Sequence, residues 1–234
     1  TLNRATDTTR QPGSTFKILA AYSAALDAGG LTLASVQDDA PYTYAGANGK
    51  SVNNYDRRYR GFTTLREAIT DSINIVTVKT LAQAGVSLGW QYVQEYGFTT
   101  VDSRDMNEAL ALGGITQGVS NLELTAAYAA IANQGTYIRP KFYTKILDHD
   151  GNVLIDNTTP ESHTVIKDTT AWLLTSAMED VMTSGTGTSA YFGSSMAQAG
   201  KSGTTTSSRD ALFAGYTPYY TCAVWGGYDD NAMQ

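Results

Sequence analysis

The chain has 234 residues, of which 42% are hydrophobic, and its formal net charge at pH 7 is -6. The length and the hydrophobic share are those of one ordered globular domain, with or without a smaller lobe, and they exclude a disordered chain. The acidic balance argues against a nucleic-acid partner, because counterion release from phosphates needs an excess of basic residues. The short basic run Arg57–Arg60 follows Asp56 and is interpreted as a solvated loop.

The first predicted element is a helix over Phe16–Ala28, which follows the helix breaker Pro12-Gly13. Its apolar residues recur at helical spacing, so the pattern predicts one buried face. Gly29-Gly30 ends the helix. The next stretch, 32–61, is rich in Asn, Gly and Tyr and is predicted to be irregular.

Apolar residues at helical spacing predict further helices along the middle of the chain. In chain order these are Thr64–Asp71, Ile73–Ala84, Leu88–Tyr96, Ser120–Asn133 and Thr169–Thr183. The helix that follows Ser120 has the signature of a capping box, with Glu123 at its third position.

Strands are predicted mainly at the end of the chain. Lys141–Leu147 and Asn152–Asp156 indicate a hairpin, and Met196–Ser202, Leu212–Thr217 and Tyr219–Gly227 read as close, most simply antiparallel strands. Helices first and strands late, without a βαβ rhythm, predict an α+β fold. The one cysteine, Cys222, lies in the last strand and is interpreted as a buried, inert thiol.

Three short motifs carry most of the functional information. They are Ser14-Thr15-Phe16-Lys17, Ser72-Ile73-Asn74 and Lys201-Ser202-Gly203. Each motif is weak alone, and a second S-x-N at Ser51-Val52-Asn53 shows how easily that pattern arises. Their order, separation and local context make the set informative.

Ser14 is predicted to lie near a helix N-terminus, where unpaired amide groups and the helix dipole favour a developing negative charge. Lys17 is three residues further on and shares its helix face. A lysine whose pKa is lowered can take the proton of a serine nucleophile. The alternative is that Ser14 is a helix cap and Lys17 a solvated helix residue.

The other two motifs also allow two interpretations. Ser72 and Asn74 lie at a predicted helix junction, where they either point into a cleft or cap the helices. Lys201, Ser202, Gly203 and Thr204, followed by Thr205-Thr206, lie on a predicted edge strand. They suit an extended substrate that bears a carboxylate, with Gly203 leaving room for the ligand backbone, or simply form a polar edge.

Several other sites are not supported. Gly49-Lys50-Ser51 and Gly200-Lys201-Ser202 lack the first glycine and the strand–loop–helix order of a phosphate-binding loop. No set of potential ligands has metal-binding spacing. A Ser/His/Asp triad would need His149 or His163, both in polar loop segments.

Longer segments around these motifs resemble the transpeptidase domain of penicillin-binding proteins, specifically the class A, high-molecular-weight kind. The similar segments are Arg4-Ala5-Thr6, Arg10–Lys17, Thr64–Ala68, Asp71–Asn74, Ala111–Gly114, Gly118–Ser120, Leu122–Ala129, Phe213–Pro218 and Ala223–Trp225. The resemblance covers nearly the whole chain and favours Ser72 over Ser51. Ile18 stands where many relatives carry proline, and Ser202 replaces the commoner threonine.

This resemblance implies the penicillin-binding/serine β-lactamase-like fold, an antiparallel sheet covered by helices plus a mostly helical lobe, incomplete at both ends. It implies a peptidoglycan D,D-transpeptidase at the extracytoplasmic face of the bacterial membrane, acting without a cofactor. Its partners would be stem peptides ending in D-Ala-D-Ala and β-lactam antibiotics. Residues 1–234 would be one transpeptidase domain without the upstream strands, glycosyltransferase domain and membrane anchor of relatives, and a second chain is one possible source of the strands.

The resemblance also implies roles for single residues. Ser14 would be the nucleophile, Lys17 its base and Ser72 a proton relay, with Asn74 contacting the acyl side chain. The substrate-binding set would be Asn74, Lys201, Ser202, Gly203, Thr204 and Thr206. The backbone amides of Ser14 and Thr204 would form the oxyanion hole. A serine β-lactamase or D,D-carboxypeptidase of the same fold, and a non-catalytic β-lactam sensor, remain as alternatives.

Overall fold

The computed structural model describes residues 2–45, 49–205 and 208–233. Its α-helices are α1 (Ser23–Asp27), α2 (Leu65–Thr70), α3 (Asn74–Ala84), α4 (Val86–Glu95), α5 (Asn121–Ala132) and α6 (Asp168–Thr183). Its strands are β1 (Thr9–Arg10), β2 (Val36–Asp39), β3 (Tyr42–Thr43), β4 (Ser51–Val52), β5 (Gly61–Thr64), β6 (Val119–Ser120), β7 (Thr136–Ile138), β8 (Lys145–Leu147), β9 (Val153–Asp156), β10 (Ser162–Thr164), β11 (Ala199–Thr204), β12 (Asp210–Tyr216) and β13 (Thr221–Gly227). The predicted α+β class is confirmed.

The largest sheet of the described residues contains β11, β12 and β13 in that order. All neighbours are antiparallel, as predicted, and the register places Lys201 beside Ala214 and Ala214 beside Ala223. Helices α5 and α6 pack against this sheet. Strand β11 is therefore an edge strand, and its free edge faces the turn that contains Ser14.

The helical segment after Ser14 is buried on all sides, whereas the sequence pattern predicted one buried face. It begins with the 3-10 turn Gly13–Thr15, continues as a π-helix over Ile18–Tyr22 and ends as α1. Every residue from Phe16 to Ala25 is buried. A helix without a polar face belongs in the middle of the core, so this segment carries Lys17 into the protein interior.

The stretch predicted to be irregular contains short paired strands. β2 pairs with β5, and β3 pairs with β4, both antiparallel. Residues 46–48, between β3 and β4 in the chain, lie outside the described part. The hairpin prediction is confirmed by β8 and β9, although β8 begins at Lys145.

The prediction that Cys222 is buried is wrong, because its side chain is exposed. Side chains alternate between the two faces of a strand. In β13, Ala223 is buried and Trp225 is half-buried, whereas Val224 and Cys222 lie on the opposite face, which no described element covers. Among the described residues, no helix is both long and apolar enough to span a bilayer.

Candidate active site

Ser14 lies in the middle of the 3-10 turn Gly13–Thr15, immediately before the buried helix. Two hydrogen bonds hold the turn: Thr15 Oγ1 donates to Pro12 O at 2.7 Å, and Tyr128 Oη of α5 donates to Thr15 O at 2.7 Å. Ser14 itself is half-buried and lines a cleft of about 270 Å³. Its hydroxyl has no hydrogen-bond partner among the described residues and is free to meet a ligand.

Lys17 is completely buried beneath this cleft. Its Nζ donates to Ser72 O at 2.6 Å, Asn74 Oδ1 at 2.6 Å and Ser72 Oγ at 3.2 Å. The solvated-lysine interpretation is therefore wrong. Burial, followed by the charge of Lys201, holds the pKa of Lys17 well below its ordinary value.

Ser72 occupies a position that glycine usually takes. Helix α2 ends in a Schellman motif, in which Ile73 N donates to Ala68 O at 2.9 Å and Ser72 N to Ile69 O at 3.3 Å. Ser72 is the left-handed residue of this motif, with φ = 57°. This conformation is uncommon for serine and aims its side chain toward Lys17.

Lys201 approaches the same hydroxyl from strand β11. Its side chain is fully buried, and its Nζ donates to Ser72 Oγ at 2.8 Å and to Ser202 O at 3.2 Å. Burial lowers the pKa of Lys201 to about 7. The Ser72 hydroxyl thus lies between two buried amines that come from distant parts of the chain.

The edge of β11 presents a backbone amide to the cleft. Thr205 N donates to Asp210 O, so alternation along an antiparallel pair makes Thr204 and Ala211 a non-hydrogen-bonded pair. The amide of Thr204 therefore points away from β12, toward the Ser14 turn. Thr204 also lines the cleft together with Ser14 and Asn74.

Two glycines allow the Ser14 turn and β11 to approach so closely. A Cβ on Gly13, whose φ is +55°, would lie 2.9 Å from Thr204 O. A Cβ on Gly203 would lie 2.8 Å from Thr15 Cγ2 and 2.9 Å from Pro12 O. The missing side chain of Gly203 thus makes room for the protein's own turn, where the sequence suggested room for a ligand.

We expect Gly203→Ala to lower the free energy of unfolding by about 1–3 kcal/mol, because the new methyl group forces the turn and the strand apart. Gly226→Ala in β13 is the matched control, since the nearest atom to its Cβ would be 4.0 Å away. Urea denaturation of both variants checks this. Equal free energies of unfolding for the two variants would contradict the close approach.

The structure brings most of the predicted site residues together, with two differences. The hydroxyl of Ser202 was predicted to bind substrate, but it contacts the protein: its Oγ is 2.7 Å from the hydroxyl of Thr186, in the loop after α6. Asn74 presents its amide to the protein as well as to the cleft, because Oδ1 accepts from Lys17 and Nδ2 donates to Asn53 O at 2.7 Å. The predicted site residue Thr206 lies outside the described residues.

Some residues at the site were missed by the sequence analysis. Tyr44 and Lys50, on the β3–β4 hairpin, line the cleft, and Thr186 contacts Ser202. They belong to none of the three motifs that define the site and come from loops, and the only pattern that contains Lys50 is the rejected phosphate-loop match Gly49-Lys50-Ser51. The described residues contain no group of side chains able to hold a metal ion. His149 and His163 do not line the cleft.

The chain matches known proteins over nearly its full length. Residues 1–228 match the family model described as "Penicillin binding protein transpeptidase domain". The chain therefore belongs to the penicillin-binding protein transpeptidase family, whose members are acyltransferases, and its curated relatives are of the class A kind.

Penicillin-binding protein 1F of Bacillus subtilis is 40% identical over 94% of this chain and 30% of its own length. Penicillin-binding protein 1A of Clostridium perfringens is 35% identical over 97% of the chain and 35% of its own length. The chain thus spans about a third of these relatives. The crystal structure of penicillin-binding protein 1A from Haemophilus influenzae has a TM-score of 0.87 and 28% identity, over 98% of this chain and 39% of that one.

Proposed function

We propose that this domain is a peptidoglycan D,D-transpeptidase that works through an acyl-enzyme on Ser14. One observation carries the proposal: the Ser72 hydroxyl lies within hydrogen-bond distance of the buried amines of Lys17 and Lys201, beside the turn that presents Ser14. This arrangement supplies a nucleophile, a base and a proton route without a histidine or a metal.

The base in this proposal is the neutral amine of Lys17. A neutral amine has two N–H groups and one lone pair. The carbonyl of Ser72 and the amide oxygen of Asn74, both at 2.6 Å, accept the two N–H groups. The lone pair is then left for a hydroxyl proton, either directly from Ser14 or through Ser72.

In the acylation step, Ser14 Oγ bonds to the carbonyl carbon of the penultimate D-Ala while Lys17 takes the hydroxyl proton. The amides of Ser14 and Thr204 stabilise the oxyanion, and one such donor is typically worth about 3 kcal/mol. The C–N bond to the terminal D-Ala then breaks. The proton passes from Lys17 through Ser72 to the leaving amine.

The acyl group is then transferred to an amino group of a neighbouring stem peptide. The new amide bond forms as the Ser14 ester breaks, and the proton that the acceptor amine loses is transferred to the Ser14 oxygen. A β-lactam would acylate Ser14 in the same way, but its leaving amine stays tethered to the acyl group. Lys201, Ser202 and Thr204 form the proposed carboxylate-binding side of the site, and Gly203 lets β11 lie against the Ser14 turn.

The positions of Glu95, Glu108 and Glu161 support transfer to an amine over hydrolysis. Glu108 is buried, and its two carboxylate oxygens accept hydrogen bonds from Tyr42 Oη and Ala45 N, both at 2.9 Å. Glu95 lies 3.5 Å from His163, and Glu161 is bonded to Arg139, and neither lines the cleft. None of these carboxylates is therefore placed to activate a hydrolytic water.

The proposal places the domain at the extracytoplasmic face of the membrane, where stem peptides are found.

The test combines a donor peptide ending in D-Ala-D-Ala with an amino acceptor and follows D-Ala release and the ligated product by mass spectrometry. Penicillin adducts are followed in parallel over hours. Ligated product and a persistent adduct would support transpeptidation. Release of D-Ala without ligation indicates a carboxypeptidase, rapid loss of the adduct indicates a β-lactamase, and a persistent adduct without peptide turnover indicates a sensor.

We expect the second-order rate constant of acylation to pass through a maximum and to fall again as the pH rises through about 7. As the pH falls, Lys17 gains a proton and can no longer act as a base. As the pH rises above about 7, Lys201 loses its proton, and with it the positive charge that attracts the substrate carboxylate. Stopped-flow acylation by a β-lactam from pH 5 to 10 checks this.

The alkaline limb has its own control. Arginine stays charged throughout this range, so Lys201→Arg is expected to lose the decline above pH 7. An alkaline decline that persists in Lys201→Arg would assign this limb to another group.

A further inference from the structure

Helix α3 begins two residues after Ser72, at Asn74, yet its own N-cap residue provides no side-chain cap. Its N-cap residue is Ile73, which has no side-chain oxygen, and no side-chain capping bond is made from that position. The first amides of a helix lack intrahelical acceptors and need a partner. The side chains of Ser72 and Asn74, which suggested caps in the sequence, are used by Lys17 instead.

The missing cap comes from Asn54, twenty residues earlier in the chain. Its Oδ1 accepts from Asn74 N at 3.0 Å and from Ile75 N at 3.2 Å. Asn54 is only 2% exposed, although the loop around it is mostly solvent-exposed. A buried side chain from another segment therefore supports the first turn of α3.

The amide of Asn54 is in turn fixed by a buried carboxylate. Its Nδ2 donates to Asp39 Oδ1 at 2.8 Å, Asp39 Oδ2 at 2.9 Å and Arg58 O at 2.8 Å. Asp39 is completely buried and also accepts from Arg60 N at 2.9 Å. These partners leave only one orientation for the amide, with its oxygen toward α3.

We infer that Asn54, held by Asp39, is a positioning residue for the acylation site, an inference that rests on the proposed function. The Asn54 bonds fix α3 from one side, and the Schellman motif of α2 fixes Ser72 from the other. Between them lies the left-handed backbone of Ser72, whose carbonyl and hydroxyl both contact Lys17. The adjacent Asn53 adds a main-chain contact to Asn74, so the second S-x-N motif of the sequence lies against the first.

The experiment measures the first-order acylation rate at saturating β-lactam, normalised to the fraction of protein that is acylated at completion. We expect Asn54→Ala to lower this rate about 10- to 100-fold, because small displacements of catalytic groups have effects of that size. Asn53→Ala is the matched control. Its side chain is exposed and makes no described hydrogen bond, so its rate should stay within about twofold of the original.

Two further variants test the inference even if Asn54→Ala does not fold. Asn54→Asp places a carboxylate against Asp39 and is expected to slow acylation. Adding Asp39→Asn restores one donor between the two side chains, so the double variant should recover part of the rate. A purely structural role would change the unfolding temperature and the reactive fraction but not the normalised rate.

The outcomes separate this inference from the proposed function. If the unaltered chain is acylated and the Asn54 variants react at its normalised rate, the positioning role is overturned and the proposed function stands. If the double variant is no faster than Asn54→Asp, the Asp39 link is overturned. If the unaltered chain is never acylated, both proposals fail.

Discussion

Ser14→Ala is expected to abolish covalent labelling by penicillin, which is the largest effect we predict. The Ser14 hydroxyl lies at the cleft with no partner among the described residues, beside two buried amines that are joined through Ser72. Removing it removes the only atom proposed to form the ester. Intact-mass spectrometry after incubation with penicillin should show one drug adduct on the original chain and none on the variant.

A matched serine tests whether this position is special. Ser103 is exposed and also lies in a three-residue 3-10 turn, Ser103–Asp105, but it does not line the cleft. Ser103→Ala should be labelled as fully as the original chain. An adduct that survives in folded Ser14→Ala, mapped by peptide digestion to another side chain, would refute the assignment of the nucleophile.

Lys17→Met is expected to slow acylation by a factor of about 10²–10⁴, the usual contribution of a general base. Methionine has a similar length but no amine, so the variant keeps most of the packing of the buried helix. Without the amine of Lys17, the hydroxyl proton of Ser14 loses its proposed acceptor. Rapid-mixing kinetics with a chromogenic β-lactam, together with thermal unfolding to confirm the fold, measures the effect.

Lys79 provides the control for this variant. It lies on α3, and its Nζ donates to Asp38 O, away from the cleft. Lys79→Met should therefore leave the acylation rate nearly unchanged. A folded Lys17→Met protein that reacts at the original rate would transfer the role of base to another group, for which Lys201 is the nearest candidate.

Much of the local structure follows from the sequence. The capping box of α5 forms as predicted, with Ser120 Oγ accepting from Glu123 N. The two residues that form it are only three positions apart in the chain. The antiparallel strands at the end of the chain are also confirmed, since short connections favour that arrangement. Local spacing determines both features, so no long-range information was needed.

The sequence motifs also identify the main members of the site. They contain Ser14, Lys17, Ser72, Asn74 and Lys201, which lie together at the cleft or directly beneath it. Each residue by itself has an ordinary alternative as a cap or a solvated side chain. Only their order along the chain and the similar segments around them favour chemistry.

Burial is the property that the sequence predicts poorly. Cys222 is exposed because β13 is uncovered, in the described residues, on the face that carries this side chain. The helix that carries Lys17 is buried on every side because other elements surround it. A hydropathy pattern describes one segment, whereas burial depends on what packs against that segment.

The sequence by itself determined the main helices, the strands at the end of the chain, the family resemblance and the identity of the candidate nucleophile and lysines. Only the tertiary structure decided that both lysines are buried against Ser72, which lowers their pKa values, and that Asn54 caps the helix that follows Ser72. The physical reason is distance along the chain. These contacts join segments that are 20 to 129 residues apart, and their energies depend on burial and geometry that no local pattern records.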